Sequence, residues 1–533
     1  MCSRTFFTSG LALFLAATAY GQVEASGLDD VDPWAVEFLG EDEPRLGESV
    51  WSASETNTLL ALMRRTRTRN LSPGERTLLQ QLVFSAGEAP IGEKSGKLLA
   101  ERARIMLELG EAESASQIFP LVSEPIGDME PEETAIDLLL GLDNVESACA
   151  ASESDARAGA FWAKLRAVCF ALDDNAQAAE LSLELAISEG VEDPWFYEAV
   201  FAAIGVAPTL PPARYDSGIA LTLSAKAGLP VPTDGIATSR ADLAAAIATN
   251  PDLQADLRVQ AAGIAAEAGL IDGLQHREAY EALLELEDFE PRTPVELAIA
   301  ANWTGEETID TKARMLSAAI GVAEGNIARF HAVSRLLNED INALPKSAVT
   351  TNYGIAFARA NLAADDWGGT EEWVSALENT TVEAEDTSAF ERAWMLGLLQ
   401  LVGRFDDEDR SVTAALISAA DQPAKRSAMR RLFVLWSALD LPLGPEARGA
   451  LTSDPTEDGE PVFPMLLRAM NGAATDGAGA ELILQTLKLT SGDPSNVRSA
   501  DMAQILEALI EIGAEDAARQ LALESTGFWK REL

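Results

Sequence analysis

Apolar residues recur at intervals of three and four positions along most of the chain. The pattern begins near Ser54 with Leu59, Leu62 and Met63 and continues to the C-terminus. This spacing places apolar side chains on one face of an α-helix. Alanine, leucine and glutamate, which favour helices, dominate the composition, whereas the alternating Val, Ile and Thr runs typical of strands are nearly absent. The pattern predicts an all-α protein.

Short turns separate the predicted helices. Gly110, Asp174, Gly269, Gly403 and Gly513 each lie between two helical segments. A residue in the left-handed conformation commonly ends a helix, and Gly or a short polar residue adopts it most easily. Because short connections between helices produce antiparallel neighbours, we expect a series of antiparallel helical hairpins.

Three of these turns share the same surroundings. When Gly110, Asp174 and Gly513 are aligned, small or apolar residues recur at fixed distances, at Ala103, Ala167, Leu506, Ala115, Ala179, Ala518, Phe119, Leu183 and Ala522. These segments resemble tetratricopeptide repeats over roughly a quarter of the chain. The other spacings are irregular, and the opening Trp and closing Pro of the consensus are mostly missing. The resemblance implies helical hairpins stacked as an irregular, tetratricopeptide-like α-solenoid.

Proline and glycine mark the predicted boundaries between helical blocks. Five prolines occur in residues 205–235, and five more occur in residues 441–464. Prolines at this density end helices and stiffen connections. The predicted division is a signal peptide (1–21), an irregular acidic lead-in (22–50), a first helical block (51–204), a connection (205–235), a second block (236–440), another connection (441–464) and a C-terminal block (465–533).

The N-terminus has the pattern of a secretory signal peptide. Arg4 precedes the apolar run Leu11–Ala17, and the small residues Ala19 and Gly21 provide a cleavage site before Gln22. A membrane anchor is the alternative, but this run is shorter than the roughly 20 residues that a spanning helix needs. No later apolar run is long enough either. The scarcity of cysteine suggests a bacterial envelope. We expect a periplasmic or secreted protein, cleaved near Gly21 and without a transmembrane segment.

The charge excludes several functions. The chain has 85 acidic and 40 basic residues, a net charge of −45 and a pI near 4.3. Nucleic acid is therefore not an expected partner, because phosphate neutralisation provides most of that affinity. Two histidines in 533 residues argue against histidine catalysis and multi-histidine metal sites. We predict no cofactor and no bound metal.

One pair of residues resembles part of an enzyme site. Glu524-Ser525 is similar to the Glu-Ser pair of soluble lytic transglycosylases, which combine a helical superhelix with a catalytic domain. Only residues 526–533 follow Ser525, and the downstream substrate-groove motifs of that family are absent. A catalytic acid with a raised pKa needs a cleft, which so short a tail cannot build. We therefore predict that the protein is not an enzyme.

Cys149 and Cys169 are the two cysteines of the mature chain. An even number in an oxidising compartment indicates a disulfide bond. A helix starting near Asp155 would instead place Cys169 about 21 Å along its axis, too far from Cys149 unless the chain doubles back first. A disulfide and two separately buried thiols both remain open.

Two basic clusters interrupt the acidic background. They consist of Arg64, Arg65, Arg67 and Arg69, and of Lys425, Arg426, Arg430 and Arg431. On a helix, Arg65 and Arg69 would share one face. The clusters either bind an anionic ligand or partner or pair with neighbouring acidic helices of the same chain.

Together these features favour a non-catalytic scaffold or protein-binding module of the cell envelope, with a protein partner whose identity the sequence does not reveal. One alternative is an enzyme that processes cell-wall glycan or peptide through carboxylates alone. Another is a structural secreted protein without a discrete binding site.

Overall fold

A computed structural model describes residues 32–39, 45–92, 95–153, 157–232, 236, 240–378, 387–407, 410–453 and 458–530. The predicted signal peptide lies outside these residues. The described chain forms 26 α-helices, four short 3-10 turns and isolated β-bridges, and it contains no strand. The predicted all-α fold is therefore confirmed.

The helices follow one another closely along the chain. The first ten are α1 (Thr56–Met63), α2 (Pro73–Phe84), α3 (Ser95–Glu108), α4 (Ala112–Ile118), α5 (Pro131–Gly141), α6 (Val145–Ser152), α7 (Ala160–Leu172), α8 (Ala176–Ser188), α9 (Pro194–Ala203) and α10 (Gly218–Lys226). The next eight are α11 (Ala241–Thr249), α12 (Ala255–Glu267), α13 (Gly273–Leu284), α14 (Pro294–Thr304), α15 (Ile309–Gly321), α16 (Ile327–Ala343), α17 (Gly354–Ala363) and α18 (Trp367–Glu378). The last eight are α19 (Thr387–Leu401), α20 (Ser411–Ala419), α21 (Pro423–Ala438), α22 (Pro445–Ser453), α23 (Pro464–Thr475), α24 (Gly479–Thr490), α25 (Ser499–Glu511) and α26 (Glu515–Ser525).

Neighbouring helices pack in pairs, as the turn residues predict. Gly110, Asp174 and Gly513 have φ values of 85°, 56° and 84°, so each turn contains the expected left-handed residue. They join α3 to α4, α7 to α8 and α25 to α26, and each of these pairs packs together. The residues aligned around the turns are all buried. The fold is therefore a series of packed helical hairpins, consistent with a helical-repeat protein.

Both proline-rich connections contain a helix. α10 lies within residues 205–235 and α22 lies within residues 441–464. α10 packs so closely on α5 that a Cβ atom added at Gly218 would lie 1.9 Å from the Asp137 carbonyl oxygen. Glycine at this position permits close helix packing, although in the sequence it resembles a helix breaker. The three-block division stays a prediction.

Buried apolar residues form two large clusters in the described chain. One includes residues from Trp34 to Leu138 and from Val295 to Trp529, and the other lies mainly between Ile136 and Ala279. α2 packs against α24 and α26, and α1 also packs against α24. The first helices therefore share a core with the last ones.

The chain reverses direction between α6 and α7. Cys149 on α6 and Cys169 on α7 form a disulfide bond, with their Cα atoms 5.6 Å apart. A disulfide requires the chain to double back between the two cysteines. It does so here, where α6 and α7 pack against each other. None of the helices in the described ranges has the length and apolarity needed to span a bilayer.

Candidate functional site

The first basic cluster lies in a loop between α1 and α2 (Arg64–Asn70, the arginine loop). α1 ends at Met63, so Arg65 and Arg69 do not share a helix face. Arg104 donates a hydrogen bond to the Met63 carbonyl, and Thr66 donates one to the Leu62 carbonyl. Side chains thus satisfy the last carbonyls of α1. β-branched threonines also disfavour continuing the helix.

Threonines attach the arginine loop to the protein at alternate positions. Thr66 bonds to Leu62 and Thr68 Oγ1 donates to Glu108 at 2.8 Å, and both threonines are half-buried. Arg65, Arg67 and Arg69 alternate with them and are exposed. The loop therefore presents its arginines to solvent from an anchored backbone.

Most of the charge on the arginine loop is not neutralised by the protein. Arg64 Nε lies 3.1 Å from Glu101 Oε1, so this arginine is paired internally. Arg65, Arg67 and Arg69 have no hydrogen bond or ion pair through their side chains within the described residues. In a chain with a net charge of −45, these three closely spaced, unpaired arginines form a locally positive surface.

The side chains of the second basic cluster form hydrogen bonds and ion pairs within the protein. Lys425 is buried and bonds to Asp421 at 3.2 Å, while Arg426 donates to the Asp421 carbonyl at 2.7 Å. Arg431 contacts Asp458 and the Val497 carbonyl at 3.1 and 2.6 Å, and burial lowers its pKa. Arg431 therefore connects α21 to the segment before α25, whereas Lys425 and Arg426 bond to Asp421, which precedes their own helix.

The two basic clusters do not form one surface. The remaining member of the second cluster, Arg430, is half-buried on α21 and also has an interaction partner. α21 packs mainly against α19 and α25, whereas α1, which precedes the arginine loop, packs against α3 and α24.

A cavity of about 210 Å³ lies at the end of the arginine loop. Arg69 lines it together with Arg76 from α2 and Arg240, which precedes α11. The acidic part of the wall consists of Glu108 from α3 and Glu267 from α12, and Thr68 and Asn70 also line the cavity. Helices from distant parts of the chain meet here because α11 contacts α3 and α16 contacts α2. No local pattern in the sequence indicates this convergence.

Five other groups balance most of the charges around this cavity. Arg240 bonds to Asp242 and Asp137 at 2.9 and 3.1 Å, and Glu267 bonds to Arg329 at 2.8 Å. Arg104 lies 2.7 Å from Glu108, and Glu111 lies 3.8 Å from Arg76. Burial lowers the pKa of Arg76 to about 10. Arg69 is the lining arginine without an acidic partner among the described residues.

A second cavity, of about 200 Å³, lies beside α9. Phe161 and Trp195 provide aromatic walls, and Arg214 lies over the Trp195 ring at 5.1 Å. Asp193 bonds to both Lys164 and Arg214, at 3.3 and 3.4 Å. Because these charged groups are already paired with each other, this cavity has less capacity for a charged ligand.

Glu524 lies in the core and lines no cleft. Its side chain is fully buried and accepts hydrogen bonds from Ser72 and from the Gly74 amide. Burial raises the pKa of Glu524 to about 8. A group in this position cannot contact a substrate.

Burial also lowers the pKa values of His276 and His331, to about 4 and 3. No cluster of metal-binding side chains occurs in the described chain.

The chain matches no protein-family model, and comparisons with characterised proteins and with solved structures found no significant similarity. The class of protein therefore follows from its fold alone, that of an all-helical, repeat-like protein.

Proposed function

We propose that the protein is an exported, non-catalytic scaffold with a tetratricopeptide-like arrangement of hairpins, which binds an acidic protein partner in the cell envelope. The observation that carries this proposal is the arginine loop, where Arg65, Arg67 and Arg69 are exposed and have no partner among the residues that the structure describes. Arginine suits carboxylate ligands because its planar group donates two parallel hydrogen bonds. Because Thr66 and Thr68 anchor the backbone of the loop, the loop loses less conformational entropy when a partner binds.

Two features support export. The N-terminal pattern around Arg4 and Leu11–Ala17 is that of a signal peptide. The disulfide between Cys149 and Cys169 suits an oxidising compartment. The N-terminal sequence of the protein from its producing cell should begin at Gln22, or at Tyr20 if cleavage follows the second small-residue site, Ala17-Thr18-Ala19. A retained Met1 would contradict export.

A capture experiment with envelope extract tests the binding proposal. The wild-type protein is compared with a double variant, Arg65→Gln with Arg67→Gln. A matched control carries Arg314→Gln with Arg468→Gln, which removes two exposed helical arginines elsewhere. Captured proteins are identified by mass spectrometry, and the binding of each is measured at several salt concentrations.

We expect the loop variant to lose an acidic partner that the wild type and the control retain. The salt dependence of the remaining binding should be weaker, because fewer charged contacts are made. Equal capture by all three proteins would contradict a role for the arginine loop.

A carboxylate-dependent enzyme receives less support. Glu524 has a raised pKa but is wholly buried, and Asp193 beside the aromatic cavity is bonded to Lys164 and Arg214.

A further inference from the structure

We infer that the cavity beside the arginine loop binds a carboxylate group that carries a short apolar substituent. This inference rests on the proposed function, because Arg69 belongs both to the arginine loop and to the cavity. The inference specifies the chemical group that the cavity binds, whereas the proposed function states only that the arginine loop binds an acidic partner.

The size and walls of the cavity suit a small amphipathic group. Its volume of about 210 Å³ corresponds to roughly seven water molecules at about 30 Å³ each. Leu71, Ile264, Ala268 and Ala328 provide an apolar wall. A purely polar ion would leave this wall in contact with water, whereas an apolar substituent would cover it.

The polar wall offers two arginines with unused hydrogen-bonding capacity. Arg69 has no partner within the described residues, and it is exposed, so it lies where the cavity opens to solvent. Arg76 lies deeper, and its Nε atom is buried without a hydrogen-bond acceptor in the described chain. Because that Nε atom is closed to solvent, Arg69 is the arginine that a ligand entering from solvent meets first.

The charge balance favours a single negative charge on the ligand. Arg240, Glu108 and Glu267 each form an ion pair with an oppositely charged neighbour. The carboxylate of Glu111 lies near the guanidinium of Arg76. Arg240 is bonded to two aspartates, so these named charges cancel overall, and Arg69 is the lining cation that no acidic side chain of the described residues contacts. A carboxylate matches one arginine in charge and in geometry, whereas a doubly charged phosphate would face Glu108 and Glu267 without a second free cation.

Calorimetric titration with small probes tests the inference. The first probe is N-acetyl-alanyl-valine with a free carboxylate, and the second is its C-terminal amide, which has the same shape without the charge. Isovalerate, a third probe, carries the carboxylate without the peptide. These probes separate a peptide C-terminus from a free organic acid as the source of the carboxylate.

We expect the free acid to bind at least roughly tenfold more tightly than the amide, because charge-assisted hydrogen bonds to the ligand are lost in the amide. Arg69→Gln should lower the affinity by a similar factor. Arg314→Gln, which removes an exposed arginine outside both the arginine loop and the cavity, is the matched control and should retain binding. Equal affinity for isovalerate would identify a free acid, and weaker binding would identify a peptide terminus.

Three results would overturn the inference: equal binding of acid and amide, no binding of any carboxylate probe at millimolar concentration, or unchanged affinity in Arg69→Gln. Ala268→Leu, which fills the cavity, should also abolish probe binding. The arginine loop is tested separately through Arg65 and Arg67, which do not line the cavity. Loss of partner capture in that double variant, without any probe binding, would exclude the carboxylate site and leave the loop proposal standing.

Discussion

Ser72 Oγ donates a hydrogen bond to Glu524 Oε2 across 452 residues of sequence. Ser72 caps the N-terminus of α2, and the Gly74 amide donates to the same carboxyl group at 2.7 Å. Glu75, on the first turn of α2, accepts hydrogen bonds from Thr490 and from the Gly492 amide. Two buried carboxyl groups therefore join the first helices to the last ones.

Folding stability should depend on the ionisation of Glu524. Its pKa is about 8 in the folded protein because burial disfavours the charge, and the nearby Glu75 raises it further. In the unfolded chain the pKa of a glutamate is about 4.3. The contribution of the neutral carboxyl is therefore fully present below about pH 4.3 and is lost as the pH rises through about 8.

Urea unfolding of the wild type and Glu524→Gln between pH 5 and 9 measures this effect. We expect the variant to gain stability relative to the wild type as the pH rises, by up to about 1.4 kcal/mol per pH unit. Glu75 also has a raised pKa, and its coupling to Glu524 forms part of the measured difference. A constant difference across this range would show that Glu524 does not titrate as described.

Gly218→Ala should be strongly destabilising. A Cβ atom at this position would lie 1.9 Å from the Asp137 carbonyl oxygen and 2.8 Å from the Gly141 amide nitrogen. α10 and α5 would have to separate, at a cost of about 3 kcal/mol or more. Gly263→Ala in α12 is the matched control, because no atom lies within 4 Å of its added Cβ. That change should stabilise the protein by up to about 1 kcal/mol, as chemical denaturation would measure. Similar effects of the two substitutions would contradict the close packing.

Local signals in the sequence account for the helices and their pairing but not for these long-range contacts. Gly110 and Gly513 mark helix ends through the conformation that each turn needs. Gly218 has the same residue type but permits helix packing, and the sequence does not distinguish the two roles. The convergence of Arg69, Arg76 and Arg240 likewise depends on how distant helices pack. Periodicity predicts which face of a helix is buried but not which helix covers it.

Removing the disulfide should destabilise the protein. Cys149 and Cys169 are separated by 20 residues, and closing a loop of this length lowers the entropy of the unfolded chain, which stabilises the folded state by about 3 kcal/mol. We expect the double variant Cys149→Ser, Cys169→Ser to unfold at a lower urea concentration than the wild type. Adding a reductant should lower the wild-type midpoint towards that of the variant and leave the variant unchanged. Two reactive thiols in the unreduced, unfolded protein would contradict the bond.

Loss of charge should destabilise the protein in the second basic cluster but not in the arginine loop. Arg431→Gln removes a buried guanidinium that bonds to Asp458 and to the Val497 carbonyl. The Val497 carbonyl loses this donor, and Asp458 loses its cationic partner while it keeps its charge and its hydrogen bonds from Ser499, so we expect a loss of about 2–4 kcal/mol in thermal or urea unfolding. Arg67→Gln removes an exposed guanidinium without a described partner, and its effect should stay within about 0.5 kcal/mol. A large loss in Arg67→Gln would mean that the arginine loop stabilises the fold. Its exposed charge would then no longer be free for a partner.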